Sequence, residues 1–241
     1  MTQPRSYKTQ AVVLRGRQLG EADRIFTLFS TERGKIDAVA KGVRRTKSHL
    51  AGRLEFGNEC AMTMHRGRSL DVIVSADILR SPWQQLVEPE RFGVASLVAE
   101  LIDAFCEPDL PLPDVYELLV GMLGAIALSD VPRELVPRFS LRLLSALGLE
   151  PPVDSCVRCG KEFTDLRAWV DAESGGFICE RCRERWRDLL EFDANDLANV
   201  RALVAPRGAA GAALRATPRV AQGVEAIVVH HLGRRPKANV L

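Results

Sequence analysis

Apolar and polar residues alternate in short runs over the first 80 residues of the chain. β-branched and aromatic residues recur at every second position in these runs, and glycines separate one run from the next. A period of two between turn signals is typical of short strands. The runs are 7–16, 23–30, 35–42, 59–65 and 70–79. We therefore predict a small, antiparallel, five-stranded β-barrel of the OB type over residues 1–80.

The period changes to that of amphipathic helices after residue 80. Apolar side chains recur three or four positions apart in three long segments, and three later segments also look helical. The segments are Val94–Phe105, Val115–Ile126, Pro132–Ala146, 186–192, 194–204 and 218–233. We therefore predict an α+β protein in which an all-helical domain, residues 81–241, follows the barrel. A cysteine-containing module interrupts this domain at about residues 151–187.

Two Cys-x-x-Cys pairs, 19 residues apart, form the core of this module. They are Cys156 with Cys159 and Cys179 with Cys182. Two such pairs complete the closed tetrahedral site of a structural Zn²⁺, which leaves no position for a substrate. We expect Phe163, Trp169 and Phe177 to cover the site as a small apolar lid. A redox-active pair and a reduced cluster without metal remain as alternatives, whereas Cys60 and Cys106 are predicted to be buried.

Composition excludes several classes of function. The chain has 241 residues, 46% of them hydrophobic, and a net charge of +2. The start of the chain has no signal peptide pattern, and the longest apolar run, 118–128, is too short to span a bilayer. No phosphate-binding Gly-Lys-Ser/Thr loop and no catalytic motif is present. We therefore expect a cytoplasmic binding protein without a membrane partner or nucleotide cofactor, and not an enzyme.

The positive charge is concentrated in two predicted loops of the barrel. Residues 41–68 contain seven Lys and Arg residues against two acidic ones, a local charge of +5. Such loops neutralise phosphates and bind nucleic acid with little reading of base sequence. The seven are Lys41, Arg44, Arg45, Lys47, Arg53, Arg66 and Arg68. In a barrel of this size both loops can lie near one face, although a solvated charged surface remains the alternative.

The order of motifs along the chain resembles the RecO family of bacterial recombination mediators. A Gly-Glu-x-Asp-Arg turn at 20–24 is followed by a Phe-rich strand, a Gly-Lys turn and a Lys-Gly-x-Arg-Arg segment at 41–45. A helix ending in Leu-Gly then leads through Pro151 and Pro152 to Cys-x-x-Cys-Gly at 156–160. A basic segment, 230–241, resembles the end of the family's chains.

The resemblance implies a mediator of recombinational DNA repair, located in the cytoplasm at the nucleoid. Such a protein binds single- and double-stranded DNA, anneals complementary strands and contacts the acidic C-terminal tail of single-stranded DNA-binding protein (SSB). With RecR it helps to load RecA at gaps. The resemblance adds Lys35 to the DNA-binding residues. Arg138 and Arg142, at positions i and i+4, could form the basic rim of the SSB-tail site, although ordinary helix surface is the favoured alternative. The competing hypothesis is a zinc-ribbon module that acts in transcription or RNA handling.

Overall fold

The computed structural model describes residues 5–163, 167–183, 188–205 and 215–238. The chain divides into two compact units. The first contains Met1–Pro132 together with Lys237–Leu241, and the second contains Arg133–Pro236. The first helices thus group with the barrel, and the predicted domain boundary at residue 80 stays a prediction.

A closed five-stranded barrel forms the beginning of the first unit, as the alternating pattern predicts. Its strands are β1 (Ser6–Leu19), β2 (Asp23–Ser30), β3 (Gly34–Ala40), β4 (Glu59–His65) and β5 (Asp71–Arg80). The order around the barrel is β1-β2-β3-β5-β4, and β4 pairs again with β1. All pairings are antiparallel except that between β3 and β5, which is parallel, so the prediction of a wholly antiparallel barrel is wrong at this pair.

The barrel is filled by the side chains that alternate inward along its strands. Ala11 and Val13 of β1, Phe26 and Leu28 of β2 and Met62 of β4 are almost completely buried in this core. Successive side chains of a strand point to opposite faces, so the intervening residues face outward. The five predicted strands are therefore confirmed.

Three helices complete the first unit: α1 (Trp83–Leu86), α2 (Pro89–Phe105) and α3 (Pro113–Leu128). The Glu88 carboxylate accepts hydrogen bonds from the first free backbone N–H groups of α2, and prolines occupy the first position of both α2 and α3. Proline fits there because its missing N–H would have no partner within the helix. None of the described helices combines the length and the apolar character that crossing a membrane requires.

The second unit combines three helices with a small sheet. A 3-10 turn (Pro132–Leu135) leads into α4 (Val136–Ala146), and α5 (Ala194–Val204) and α6 (Pro218–Leu232) follow later in the chain. The sheet has the order β7-β6-β8 and is antiparallel. Its strands are β6 (Ala168–Asp171), β7 (Gly176–Ile178) and β8 (Leu190–Phe192).

The helix predicted over 186–192 is wrong where the structure describes it. Leu190–Phe192 is a strand, in which Phe192 pairs with Ala168 of β6. The Phe192 ring is fully buried, and its centroid lies 5.3 Å from that of Phe177. Pairing with β6 and burial of this ring outweigh the local helical spacing. Residues 184–187 lie outside the described part of the chain.

Candidate metal centre and nucleic-acid interface

The four predicted cysteines come together in the second unit. Their Sγ atoms all lie within 4.8 Å of one another, and those of Cys159 and Cys179 are 3.7 Å apart. Four thiolates at about 2.3 Å from a central ion form a tetrahedron with edges of about 3.8 Å. The residues Cys156, Cys159, Cys179 and Cys182 therefore match the donor set and the spacing of a closed metal site.

Two tight turns present these sulfurs. In the first, the N–H of Gly160 donates to the Cys156 carbonyl at 2.8 Å, and Gly160 has a φ of +71°. In the second, the N–H of Cys182 donates to the Cys179 carbonyl at 3.0 Å. Glycine adopts the left-handed conformation of the first turn without the steric cost that a side chain would add. The short Cys-x-x-Cys spacing thus becomes two turns that face each other.

The thiols of the cluster differ in how readily they ionise: the pKa of Cys156 is lowered, whereas that of Cys182 is raised. Burial of the Cys156 thiol resists ionisation, but backbone N–H groups of Cys179, Cys159 and Arg158 outweigh it and lower its pKa to about 7. Burial and the three neighbouring sulfurs raise the pKa of Cys182 to about 12. Four negative sulfurs cannot share this space without a compensating cation. The cluster therefore has the chemistry of a site that a metal completes.

The apolar cover of the cluster differs in part from the prediction. Trp169 and Ile178 are buried beside Cys156, with Phe163 packed against them, and the Arg183 guanidinium lies 4.8 Å from the centre of the Trp169 ring. Phe177 instead points to the other side of β7 and packs on Phe192. Successive side chains of a strand point to opposite faces, so Phe177 faces away from the cysteine cluster when Ile178 faces it.

The first basic loop, residues 41–54, is anchored at both ends to the barrel. Val43 and Leu54 are buried in the barrel core. The carboxylate of Asp23 accepts a hydrogen bond from the N–H of Gly42 at 2.7 Å, and the Arg44 side chain donates to the Glu21 carbonyl at 3.0 Å. The conspicuous turn at 20–24 thus holds the loop in place. Fixed loop ends lower the entropic cost of holding its cations toward a ligand.

Local ion pairs divide the eight predicted DNA-binding residues into two groups. Lys35 is 16% exposed and lies 3.5 Å from a carboxylate oxygen of Asp103 in α2, and Arg53 lies 2.8 Å from Asp77. Within the described residues, the remaining six are exposed and have no carboxylate partner. These six are Lys41, Arg44, Arg45, Lys47, Arg66 and Arg68. Their charge is available to an external anion.

Strand register separates the two basic loops. The first loop enters β4 at Glu59, which pairs with Arg80, and the second leaves β4 at His65, which pairs with Val72. They lie at opposite ends of β4, so the register does not bring them together as expected. The barrel instead carries two basic patches: one on loop 41–54 and one at the other end of the strands.

The second patch contains a residue that the sequence analysis missed. The N–H of Arg66 donates to the carbonyl of Arg5 at 2.8 Å, which places Arg5, Arg66 and Arg68 at one end of the barrel. Arg5 precedes Arg66 by 61 positions, and only the pairing of Ser6 with His65 makes them neighbours. In the sequence, the one indication of this role for Arg5 is its position just before the first predicted strand.

The predicted basic rim on α4 takes part in packing within the second unit. The Arg138 guanidinium donates hydrogen bonds to the carbonyls of Ala202 and Ala205 at 3.3 and 3.1 Å. These carbonyls lie at the end of α5, where backbone acceptors lack partners within the helix. Arg138 thus stabilises the C-terminus of α5, and Arg142 is half-buried on the same helix.

Comparisons with known proteins cover nearly the whole chain. Models of the N-terminal and C-terminal parts of recombination protein O match residues 1–82 and 87–239. The DNA repair protein RecO of Heliobacterium modesticaldum is 34% identical over 241 residues, which covers 98% of this chain and 87% of the relative. That of Bifidobacterium longum is 38% identical over 177 residues, covering 72% of this chain and 73% of the relative.

A third relative, the DNA repair protein RecO of a Nocardioides species, is 35% identical over 181 residues, covering 73% of this chain and 74% of its own. The first matched segment contains the barrel, and the second contains the four-cysteine cluster. The chain belongs to the RecO family, and its role lies in DNA repair and recombination.

Proposed function

We propose that this protein binds single- and double-stranded DNA through its barrel and anneals complementary strands as a recombination mediator. The observation that carries the proposal is the group of four exposed cations on the anchored loop 41–54 that have no carboxylate partner in the described part of the chain. They are Lys41, Arg44, Arg45 and Lys47. Six such cations on a small barrel, in a chain whose net charge is only +2, favour a polyanionic ligand.

Annealing by this surface requires no bond-making chemistry. Lys and Arg side chains that hold a strand by its phosphates leave the base edges free. Neutralised phosphates repel a second strand less, and Watson–Crick pairing then supplies the free energy of the duplex. The proposed activity is therefore not enzymatic, and it requires no nucleotide cofactor.

We further propose that the four cysteines bind one structural Zn²⁺. Cys156, Cys159, Cys179 and Cys182 would all act as ligands, which leaves the ion without an open position. Bound zinc would compensate the thiolate charge and fix the two turns that border β6 and β7. The ion would thus hold the module in shape rather than take part in DNA chemistry.

The family role suggests protein partners as well. We propose that the protein acts with RecR and with the acidic tail of SSB to help load RecA at gaps in chromosomal DNA. An acidic, apolar tail requires an apolar groove with a free cation at its rim. Arg138 is engaged with α5, so Arg142 is the better candidate of the two predicted rim residues.

Annealing of SSB-coated strands tests the proposal. Complementary oligonucleotides coated with SSB are mixed with the wild-type protein or with the variant Lys41→Ala/Arg44→Ala/Arg45→Ala, and duplex formation is followed by fluorescence transfer. We expect rapid annealing by the wild type and loss of most of the activity in the variant. A matched control is Arg17→Ala, because Arg17 is exposed but lies 3.3 Å from the Asp37 carboxylate.

The outcomes test separately whether the protein anneals DNA and whether loop 41–54 binds the DNA. Failure of the wild type to anneal at low salt would overturn the mediator proposal. Equal annealing by the wild type and the triple variant, with circular dichroism showing both folded, would keep the function but remove loop 41–54 from the DNA-binding surface. Activity on bare strands that disappears on SSB-coated strands would argue against the contact with SSB.

A further inference from the structure

The ring of Tyr7 organises a cluster of charges at the end of the barrel opposite loop 41–54. The Tyr7 hydroxyl donates to the Asp71 carboxylate at 2.5 Å and accepts from the Arg33 guanidinium at 2.8 Å. The central carbons of the Arg33 and Arg66 guanidinium groups lie 5.4 and 5.0 Å from the centre of the ring. Both distances are within the range of a cation–π interaction, about 6 Å.

The two arginines differ in how their charge is compensated. Arg33 is ion-paired with Asp71 at 2.5 Å and also contacts the Asp109 carboxylate. Arg66 is exposed, and among the described residues its guanidinium has the Tyr7 ring as its contact and no carboxylate partner. Arg33 is therefore internal to the cluster, whereas Arg66 presents an uncompensated planar cation to solvent.

The platform beneath Arg66 is held firmly. Tyr7 lies on β1 and packs against the barrel core, while Asp71 begins β5. Burial, followed by the hydrogen bond to Asp71, raises the pKa of Tyr7 to about 12, so its hydroxyl stays protonated and continues to donate. A guanidinium resting on a fixed ring loses less side-chain entropy on binding than a free one.

We propose that Arg66, supported by the Tyr7 ring, is a stacking platform for a nucleobase of single-stranded DNA. A guanidinium is planar and stacks on aromatic faces, and a lysine ammonium cannot do so. Stacking is possible with every base because every base has a π face. This inference rests on the proposed DNA binding and adds a base contact to the phosphate contacts of loop 41–54.

The site also explains how a barrel with few free aromatic rings could bind bases. Phe26 is buried in the core, and Tyr7 itself is half-buried and already in contact with two guanidinium groups. An arginine layered on Tyr7 takes the position that an exposed aromatic side chain occupies on other single-strand-binding surfaces. Arg5 and Arg68 lie beside it and would bind the flanking phosphates.

The test compares Arg66→Lys with Arg17→Lys, a control outside the proposed DNA-binding residues, on two ligands. The ligands are a short oligothymidylate and a backbone of the same length in which every base is replaced by an abasic tetrahydrofuran unit, both measured by fluorescence anisotropy. We expect Arg66→Lys to weaken binding of the oligothymidylate about three- to fivefold, the effect of losing one exposed cation–π contact. Binding of the abasic backbone and the dependence of affinity on salt should stay unchanged, because the charge is kept.

Two further variants sharpen the result. Arg17→Lys should leave the affinity for both ligands unchanged, because Arg17 is paired with Asp37 and lies outside the proposed DNA-binding residues. Tyr7→Phe should weaken binding of the oligothymidylate by less than Arg66→Lys does, because it keeps the ring but loses the hydroxyl that anchors it to Asp71. Equal losses for both ligands in Arg66→Lys, or no loss for either, would overturn the stacking proposal while DNA binding itself stands. If the wild type bound neither ligand, the proposed DNA binding on which this inference rests would itself be overturned.

Discussion

Replacing Cys179 with serine is expected to empty the four-cysteine cluster and to loosen the small sheet around it, while the barrel stays folded. Cys179 is one of four sulfurs within 4.8 Å of one another. Its carbonyl also accepts the N–H of Cys182 and of Arg183, which form the second turn. Serine preserves the size of the side chain but replaces the thiolate with a poor zinc ligand.

The free energy of binding that would be lost with the ion should exceed the stability that the rest of this small module can provide. Strands β6, β7 and β8 have four, three and three residues, and among the described residues the buried members of the core beside the cluster are Trp169, Ile178 and Cys156. Structural zinc contributes about 10–16 kcal/mol of apparent binding free energy in small zinc domains. A whole domain is stable by only about 5–15 kcal/mol. The sheet should therefore become locally unstable without the ion.

Metal analysis and hydrogen exchange measure the two halves of this prediction. Elemental analysis should find stoichiometric zinc in the wild type and in Cys106→Ala, a control that removes a buried thiol outside the cluster. Cys179→Ser should contain none. Backbone amides of β6 and β7 should then exchange faster by mass spectrometry, and those of β2 and β3 should not change. Wild-type protein that is free of metal yet protected in β6 would refute the reasoning.

Two further predictions concern the first unit. Gly34→Ala should destabilise the protein by more than about 2 kcal/mol in urea unfolding, because a Cβ there would lie 1.8 Å from the Leu110 carbonyl oxygen at a φ of +61°. Gly20→Ala is its control: it has the same φ with nothing within 4 Å, so only the conformational cost of about 1–2 kcal/mol applies. Tyr116→Phe should cost about 1.5–3 kcal/mol, because the Tyr116 hydroxyl donates at 2.9 Å to the buried carboxylate of Glu59. Equal stability of the two glycine variants, or an unchanged unfolding midpoint in Tyr116→Phe, would contradict these accounts.

Local pattern was sufficient for the barrel strands, the long helices and the clustering of the four cysteines. Strand alternation and glycine turns are properties of adjacent residues, and the spacing of the cysteines already implies two turns. The strand β8 could not be predicted in this way. Its apolar residues follow a helical spacing, and only the pairing of Phe192 with Ala168 makes the segment extended.

The proposed nucleic-acid surface was predicted less completely because charge compensation depends on distant residues. Asp103 engages Lys35 from a helix 68 positions away, and Asp77 engages Arg53 from the next strand but one. Neither contact is visible in a count of local charge. The same dependence on register hid Arg5, which is a neighbour of Arg66 only through the pairing of β1 with β4.

The most direct test of the central claim is the salt dependence of binding to short single-stranded DNA. The logarithm of affinity is measured against the logarithm of salt concentration for the wild type, for Lys41→Ala/Arg44→Ala/Arg45→Ala and for Arg17→Ala. Each phosphate contact contributes about 0.7 to the slope for a single strand, so loss of three should reduce its magnitude by about 2. Arg17→Ala should leave the slope unchanged. An unchanged slope in the triple variant would contradict the claim that the uncompensated cations of loop 41–54 bind the DNA backbone.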